Sequence, residues 1–183
     1  MHLTIHTSDS APAGSRPILD GIAADLGFVP HMAAAVAESP ALLAGFDGLR
    51  RAVGSGDLDP VHREVAGLAV GVAVDNAYGV AFHSTVLGGL GVAEADIEAM
   101  RAGTPPRDPG AAAVYELARE IVVTRGRVDD ATVRRSLDAG LTPAQVLEVV
   151  AECAFAGLVG TVDNLAGRVE LDDVLAPRAW KST

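Results

Sequence analysis

The chain has 183 residues, 49% of them hydrophobic but only 4% aromatic, and carries a net charge of −10. That length suits one domain with a core of its own, and so few aromatics leave Ala, Val and Leu to fill it, which favours closely approaching helices over an aromatic-rich sandwich. The acidic balance excludes nucleic acid as a partner, because binding a phosphate backbone relies on clustered Lys and Arg.

In chain order, residues 1–15 are a polar Ser/Pro/Gly-containing lead, expected to be mobile or laid across a neighbour. A first helix starts near Pro17 and stops at Gly27, with Ile18, Leu19, Ile22 and Leu26 at helical spacing. Phe28-Val29-Pro30 breaks the chain before a short helix over 31–37, and Ser39-Pro40 starts a third that ends near Gly54. Asp59-Pro60 repeats that start signal for a helix reaching about Val74. The polar interruption Asp75-Asn76 then opens another, ending at Gly88-Gly89. A helix N-terminus at that point favours negative charge, so an anionic ligand is expected there.

Further along come an amphipathic helix at about 93–102, a Pro/Gly loop over 103–110 and a helix at about 110–125. Asp129 or Asp130 caps a short helix ending at Gly140, and the capping-box sequence Thr142-Pro143-Ala144-Gln145 starts a long one to about Val169. Gly157, Gly160 and Gly167 would let that last helix pack closely, including against a second subunit. No period-two strand pattern stands out, so the fold class is all-α.

The N-terminus lacks a basic stretch followed by an apolar one, so no secretory signal is expected. The longest apolar runs, Val65–Val74 and Ala151–Val162, are too short for a bilayer and carry or abut Glu64, Asp75, Glu152 and Asp163. No membrane segment is therefore expected. The single cysteine, Cys153, excludes an intrachain disulfide and fits a cytoplasmic protein. In an apolar helix it reads as a small hydrophobe.

Two ionisable residues stand out because their surroundings penalise charge. Glu64 lies inside the apolar stretch Val61–Val74, and His83 follows Phe82. Asn76, Gly79 and His83 share a helix face at i, i+3 and i+7, with Glu64 supplied by the preceding helix. His2, His6, His31 and His62 show no metal-ligand spacing, so no metal is expected.

The order Glu64, Asn76, Tyr78, Gly79, His83 resembles the redox signature of the alkylhydroperoxidase-D and carboxymuconolactone decarboxylase superfamily, with both cysteines of its C-x-x-C pair replaced, by Asn76 and Gly79. The segments Phe28-Val29-Pro30-His31, Ser39-Pro40-Ala41-Leu42-Leu43 and Val162-Asp163-Asn164 resemble the family's N- and C-terminal helices. The resemblance implies an alkylhydroperoxidase-D-like helical domain over 16–176, followed by a tail over 177–183, in a trimer or hexamer. It also implies Glu64, His83 and Tyr78 as catalytic residues, Asn76 and Gly79 as substrate-binding residues, and no cofactor.

A thiol peroxidase cycle needs a low-pKa thiolate and a resolving cysteine. Without them, a carboxylate and an imidazole in an apolar pocket still suit general acid and base catalysis, with burial raising the Glu64 pKa toward neutrality. The expected function is a cofactor-free decarboxylase, isomerase or lactone-type enzyme acting on a small organic acid or metabolite. The alternatives are an alkylhydroperoxidase-like protein with lost or weak peroxidase activity, and a non-catalytic oligomeric module that binds a ligand.

Overall fold

The computed structural model describes residues 1–180. Its helices are α1 (Arg16–Leu26), α2 (His31–Val36), α3 (Pro40–Gly54), α4 (Pro60–Ala73), α5 (Ala77–Gly89), α6 (Glu94–Arg101), α7 (Pro109–Thr124), α8 (Asp130–Asp138) and α9 (Pro143–Ala166). A single 3-10 turn, Ala176–Arg178, follows. Among the described residues there is no strand.

Most starts follow from local chemistry. The side chains of Ser39, Asp59, Asp108, Asp129 and Thr142 accept from free N–H groups at the starts of α3, α4, α7, α8 and α9. Proline occupies the first turn of all of these helices except α8. Gln145 returns a bond to the Thr142 backbone and completes the capping box. α9 stops three residues before the expected Val169, because Gly167 takes a left-handed φ of 73° and closes the last turn.

α4 forms the centre, packed against α5, α7 and α9. One apolar cluster joins it to these helices and α6 through Leu68, Val80, Ile97, Met100, Leu117 and Val149. A second lies on the other side of α5, where Leu19, Met32, Leu43 and Phe46 from α1–α3 meet Tyr78 and Val162. α5 and α9 contribute to both clusters and so tie the two halves together. Gly160 lets α9 approach, since a Cβ there would sit 2.7 Å from Val74 Cγ2. Gly157, by contrast, faces open space.

The N-terminal lead lies against the body of its own chain. Ala11 and Ser15 are buried, Ser15 Oγ donates to the Ala37 carbonyl at 2.7 Å, and Leu3 and Ile5 pack on the second cluster. At the other end Trp180 Nε1 donates to the Arg101 carbonyl at 3.3 Å and Arg178 pairs with Glu94. The expected tail over 177–183 is thus anchored on α6 as far as residue 180, and 181–183 lie outside the described residues.

The apolar run 151–162 belongs to a helix of 24 residues, long and apolar enough to cross a membrane by length and composition. Here one side of it packs on α3, α4, α5 and α7, while Leu147, Val150 and Leu165 are exposed on the other.

Candidate active site

Asp59 fixes where α4 begins, with Oδ1 accepting from Val61 N at 2.8 Å, and this puts Glu64 in the second turn, facing inward. The chain leaves α4 through Asp75 at φ 55° and re-enters helix at Asn76, whose Oδ1 accepts from Gly79 N at 2.8 Å. About two turns later α5 delivers His83 back over α4. The imidazole lies against Gly67, where an added Cβ would stand 2.2 Å from His83 Cε1. Only glycine leaves room for the ring at that point.

Glu64 and His83 meet at 2.9 Å between Oε2 and Nδ1, and they are 6% and 8% exposed. An ionised carboxylate only accepts, so Nδ1–H is the donor and Nε2 is the nitrogen without a protein partner among the described residues. Arg63 Nε donates to the other Glu64 oxygen at 3.2 Å.

Burial by itself pushes Glu64 up and His83 down, but their mutual hydrogen bond and attraction outweigh it. Glu64 ends below the usual carboxylate range and His83 above the usual imidazole range. The expectation that Glu64 is the carboxyl raised toward neutrality is therefore corrected. The raised group is Glu152 on α9, 2% exposed and without a hydrogen bond among the described residues. Burial pushes it up, His83 and Arg63 pull it down, Glu64 pushes it up again, and it stands at about 7. Spacing in the sequence gave no sign of it.

His83 lines a cavity of about 80 Å³ whose wall is otherwise mostly apolar, including Met32, Phe46, Phe82 and Phe155, with Gly79 and Tyr78 also on it. Arg50 is the one guanidinium there, held by Asp25 at 2.6 Å and Asp47 at 2.7 Å.

Of the expected residues, Glu64 and His83 come together, whereas the Tyr78 hydroxyl is committed elsewhere. It donates to Asp172 Oδ2 at 2.6 Å and accepts from Met32 N at 3.4 Å. Asn76 is fully buried as the cap of α5, and its Nδ2 has no partner among the described residues. Gly79 is required beneath that amide, since a Cβ there would lie 2.2 Å from Nδ2.

The N-terminus of α5 is not open to an anionic ligand as expected, because Asp163 Oδ2 already accepts from Tyr78 N at 3.4 Å and Asn76 takes the next N–H. Asn164 does not line the cavity but donates to the Val74 carbonyl at 2.8 Å. Cys153 is buried against the Ala118 carbonyl, and burial pushes its thiol up to about 12. No cluster of three or more metal-ligating side chains occurs among the described residues.

This fold has close counterparts among solved structures. A peroxidase-related protein from Ralstonia eutropha JMP134 with an alkylhydroperoxidase AhpD core is 20% identical, with a TM-score of 0.79 over 94% of this chain and 92% of that one. A peroxidase-related protein from Silicibacter sp. TM1040 is 14% identical, with a TM-score of 0.75 over 94% and 91%. The debrominase Bmp8, in a variant bound to 2,3,4-tribromopyrrole, is 14% identical, with a TM-score of 0.77 over 97% and 95%. No curated protein matches. The helices therefore define an alkylhydroperoxidase-D-like fold. Residues 40–120, which span α3 to α7 and carry both Glu64 and His83, match the model of the Carboxymuconolactone decarboxylase family. Over those residues the chain is similar to that family, and its fold is alkylhydroperoxidase-D-like.

Proposed function

We propose that the protein is a cofactor-free acid/base enzyme that moves a proton on a small organic acid, as a decarboxylase, an isomerase or a catalyst of lactone chemistry. The observation that carries this reading is the buried Glu64–His83 hydrogen bond at the wall of an apolar cavity, with asparagine and glycine where a C-x-x-C pair would stand. Cys153 is no substitute thiolate, since its thiol is buried and raised to about 12.

Glu64 stays ionised and fixes the ring through Nδ1, so Nε2 is the atom that exchanges a proton with substrate. A raised His83 suits the acid role. In a decarboxylation the C–C bond electrons remain on carbon as CO₂ leaves, the Nε2 proton goes to that carbon, and solvent reprotonates the imidazole. The apolar wall takes the substrate body, Arg50 offers its guanidinium to a carboxylate, and the spare Asn76 Nδ2 offers a hydrogen bond beside Gly79.

A thermal-shift screen of carboxylic acids and lactones against wild type, Glu64→Gln and His83→Ala tests the reading, with hits followed by NMR for loss of CO₂ or uptake of solvent deuterium. A ligand that stabilises wild type alone and is turned over is the expected result. Identical responses of the three proteins would remove the pair from the site and favour a ligand-binding module.

The exposed Leu147, Val150 and Leu165 of α9 support assembly into a homo-oligomer, a trimer or hexamer, as part of the same proposal. Light scattering should give three or six times the 18.7 kDa chain mass, and a monomer at micromolar concentration would overturn it.

A further inference from the structure

Glu152 is a carboxyl that the Glu64–His83 pair does not explain. It lies on α9, 69 residues or more from both partners in sequence, is 2% exposed and makes no hydrogen bond among the described residues. An unpaired buried carboxyl costs several kcal/mol in its ionised form, so a purely structural site would carry an apolar residue or a donor there. The charged groups that act on it are Arg63 and Glu64 from α4 and His83 from α5. It also sits one turn before Ala156, which lines the cavity. Its neighbour Cys153 stays neutral.

We propose that Glu152 is a positioning residue of the proposed acid/base site: buried on the face of α9 that carries the cavity-lining Ala156, it acts through His83 and holds the imidazole in its protonated form. The mechanism is mutual. When Glu152 is ionised, the buried site holds two carboxylates around one imidazole, and the imidazolium is the form that neutralises them. When Glu152 takes a proton, that support is withdrawn and His83 gives up its own more readily. Glu152 titrates at about 7, so the exchange falls at neutral pH, and the two groups share their steps instead of titrating singly.

This inference rests on the proposed acid/base reading, yet it is tested without substrate. Imidazole ¹⁵N chemical shifts are followed against pH in wild type, Glu152→Gln and Glu152→Asp, with His83 assigned from His83→Gln. Wild-type His83 should titrate in two steps, one of them near neutrality. In Glu152→Gln that step should vanish and the midpoint should fall by about one pH unit or more, the scale expected for removing a nearby opposite charge. Glu152→Asp should restore the step, displaced from its wild-type midpoint.

A folded Glu152→Gln protein whose His83 curve overlies wild type overturns the proposal. If Glu152→Gln does not fold, Glu152→Asp decides the matter, since a step that does not move with the shortened side chain overturns it equally. Failure of the ligand screen would remove the proposed function and leave this titration standing, whereas an unmoved His83 curve would remove the Glu152 role alone.

Discussion

At the first turn of α5 the buried carboxylates are saturated with donors, whereas Glu152, which acts on His83 less than two turns along, has none among the described residues. Asp163 accepts from Val169 N at 2.8 Å, Arg168 Nη1 at 3.2 Å and Tyr78 N at 3.4 Å, and Asp172 accepts from Tyr78 Oη and His31 N. These two acids join the end of α9 and the segment after it to α2 and α5, so every lone pair they use fixes one element against another. Among the described residues the side chains of Glu64 and His83 make only two hydrogen bonds, one acid is left over, and the adjoining cavity is mostly apolar. A satisfied buried network rigidifies, while an under-satisfied one keeps groups free to exchange protons.

The largest effect should come from the saturated side. Asp163→Ala leaves three donors, one of them the Arg168 guanidinium, without this buried acceptor, and should cost about 3–4 kcal/mol in stability. Urea denaturation gives the value directly. A loss under 1 kcal/mol would show that the network is not what fixes α9 to α5.

The under-satisfied side should show itself in how stability depends on pH. Glu152 is raised from 4.5 to about 7 in the fold. Its neutral form therefore favours the native state below the unfolded value of 4.5, and that advantage fades as pH rises through 7. His83, raised above 6.5, adds stability that is complete below 6.5 and is lost as pH climbs through its folded value. Glu64, lowered below 4.5, contributes above 4.5 and loses its contribution as pH falls through its folded value. Wild type should thus lose stability between about pH 5 and 8. Glu152→Gln should match it near pH 4.5 and exceed it by about 3 kcal/mol at pH 8. Parallel pH profiles for the two proteins would contradict the assignment of the burden to Glu152.

Gly67 separates the ring's position from its chemistry. In Gly67→Ala the new Cβ falls 2.2 Å from the imidazole, so His83 or α5 has to shift, at a cost of about 2 kcal/mol in stability. The His83–Glu64 hydrogen bond should be lost, seen as an acid-ward move of the His83 titration. An unchanged His83 titration in Gly67→Ala would mean that the ring has another place to sit.

How much of this was legible in the sequence depends on the range of the interaction. Caps are local, so Ser39, Asp59 and Thr142 announce their helices, and the boundaries fall within a few residues. Glu64 and His83 were legible because each sits against apolar neighbours, at a spacing the superfamily resemblance fixes. Glu152 shares that apolar setting, inside the run 151–162, but no spacing gave it a partner, and only the packing of α9 on α4 and α5 brings it to the Glu64–His83 pair. Gly67 looked like one more small residue in an apolar helix, and its necessity depends on a ring from the next helix. The direction of the Glu64 shift was missed for the same reason: burial was foreseeable from the run, but the partners that outweigh it were placed by the fold.

The smallest effect divides two roles within one side chain. Asn76 Oδ1 caps α5, while its buried Nδ2 is unpaired. Serine keeps a cap acceptor and removes the spare donor, whereas alanine removes both. Asn76→Ala should therefore be about 1 kcal/mol less stable than Asn76→Ser, the usual worth of a cap. If Nδ2 donates to a ligand in the neighbouring cavity, Asn76→Ser should bind a ligand found by the screen about tenfold more weakly, equivalent to one lost hydrogen bond. Equal binding by wild type and Asn76→Ser, measured calorimetrically, would assign Asn76 to the saturated side of the comparison, as a cap alone.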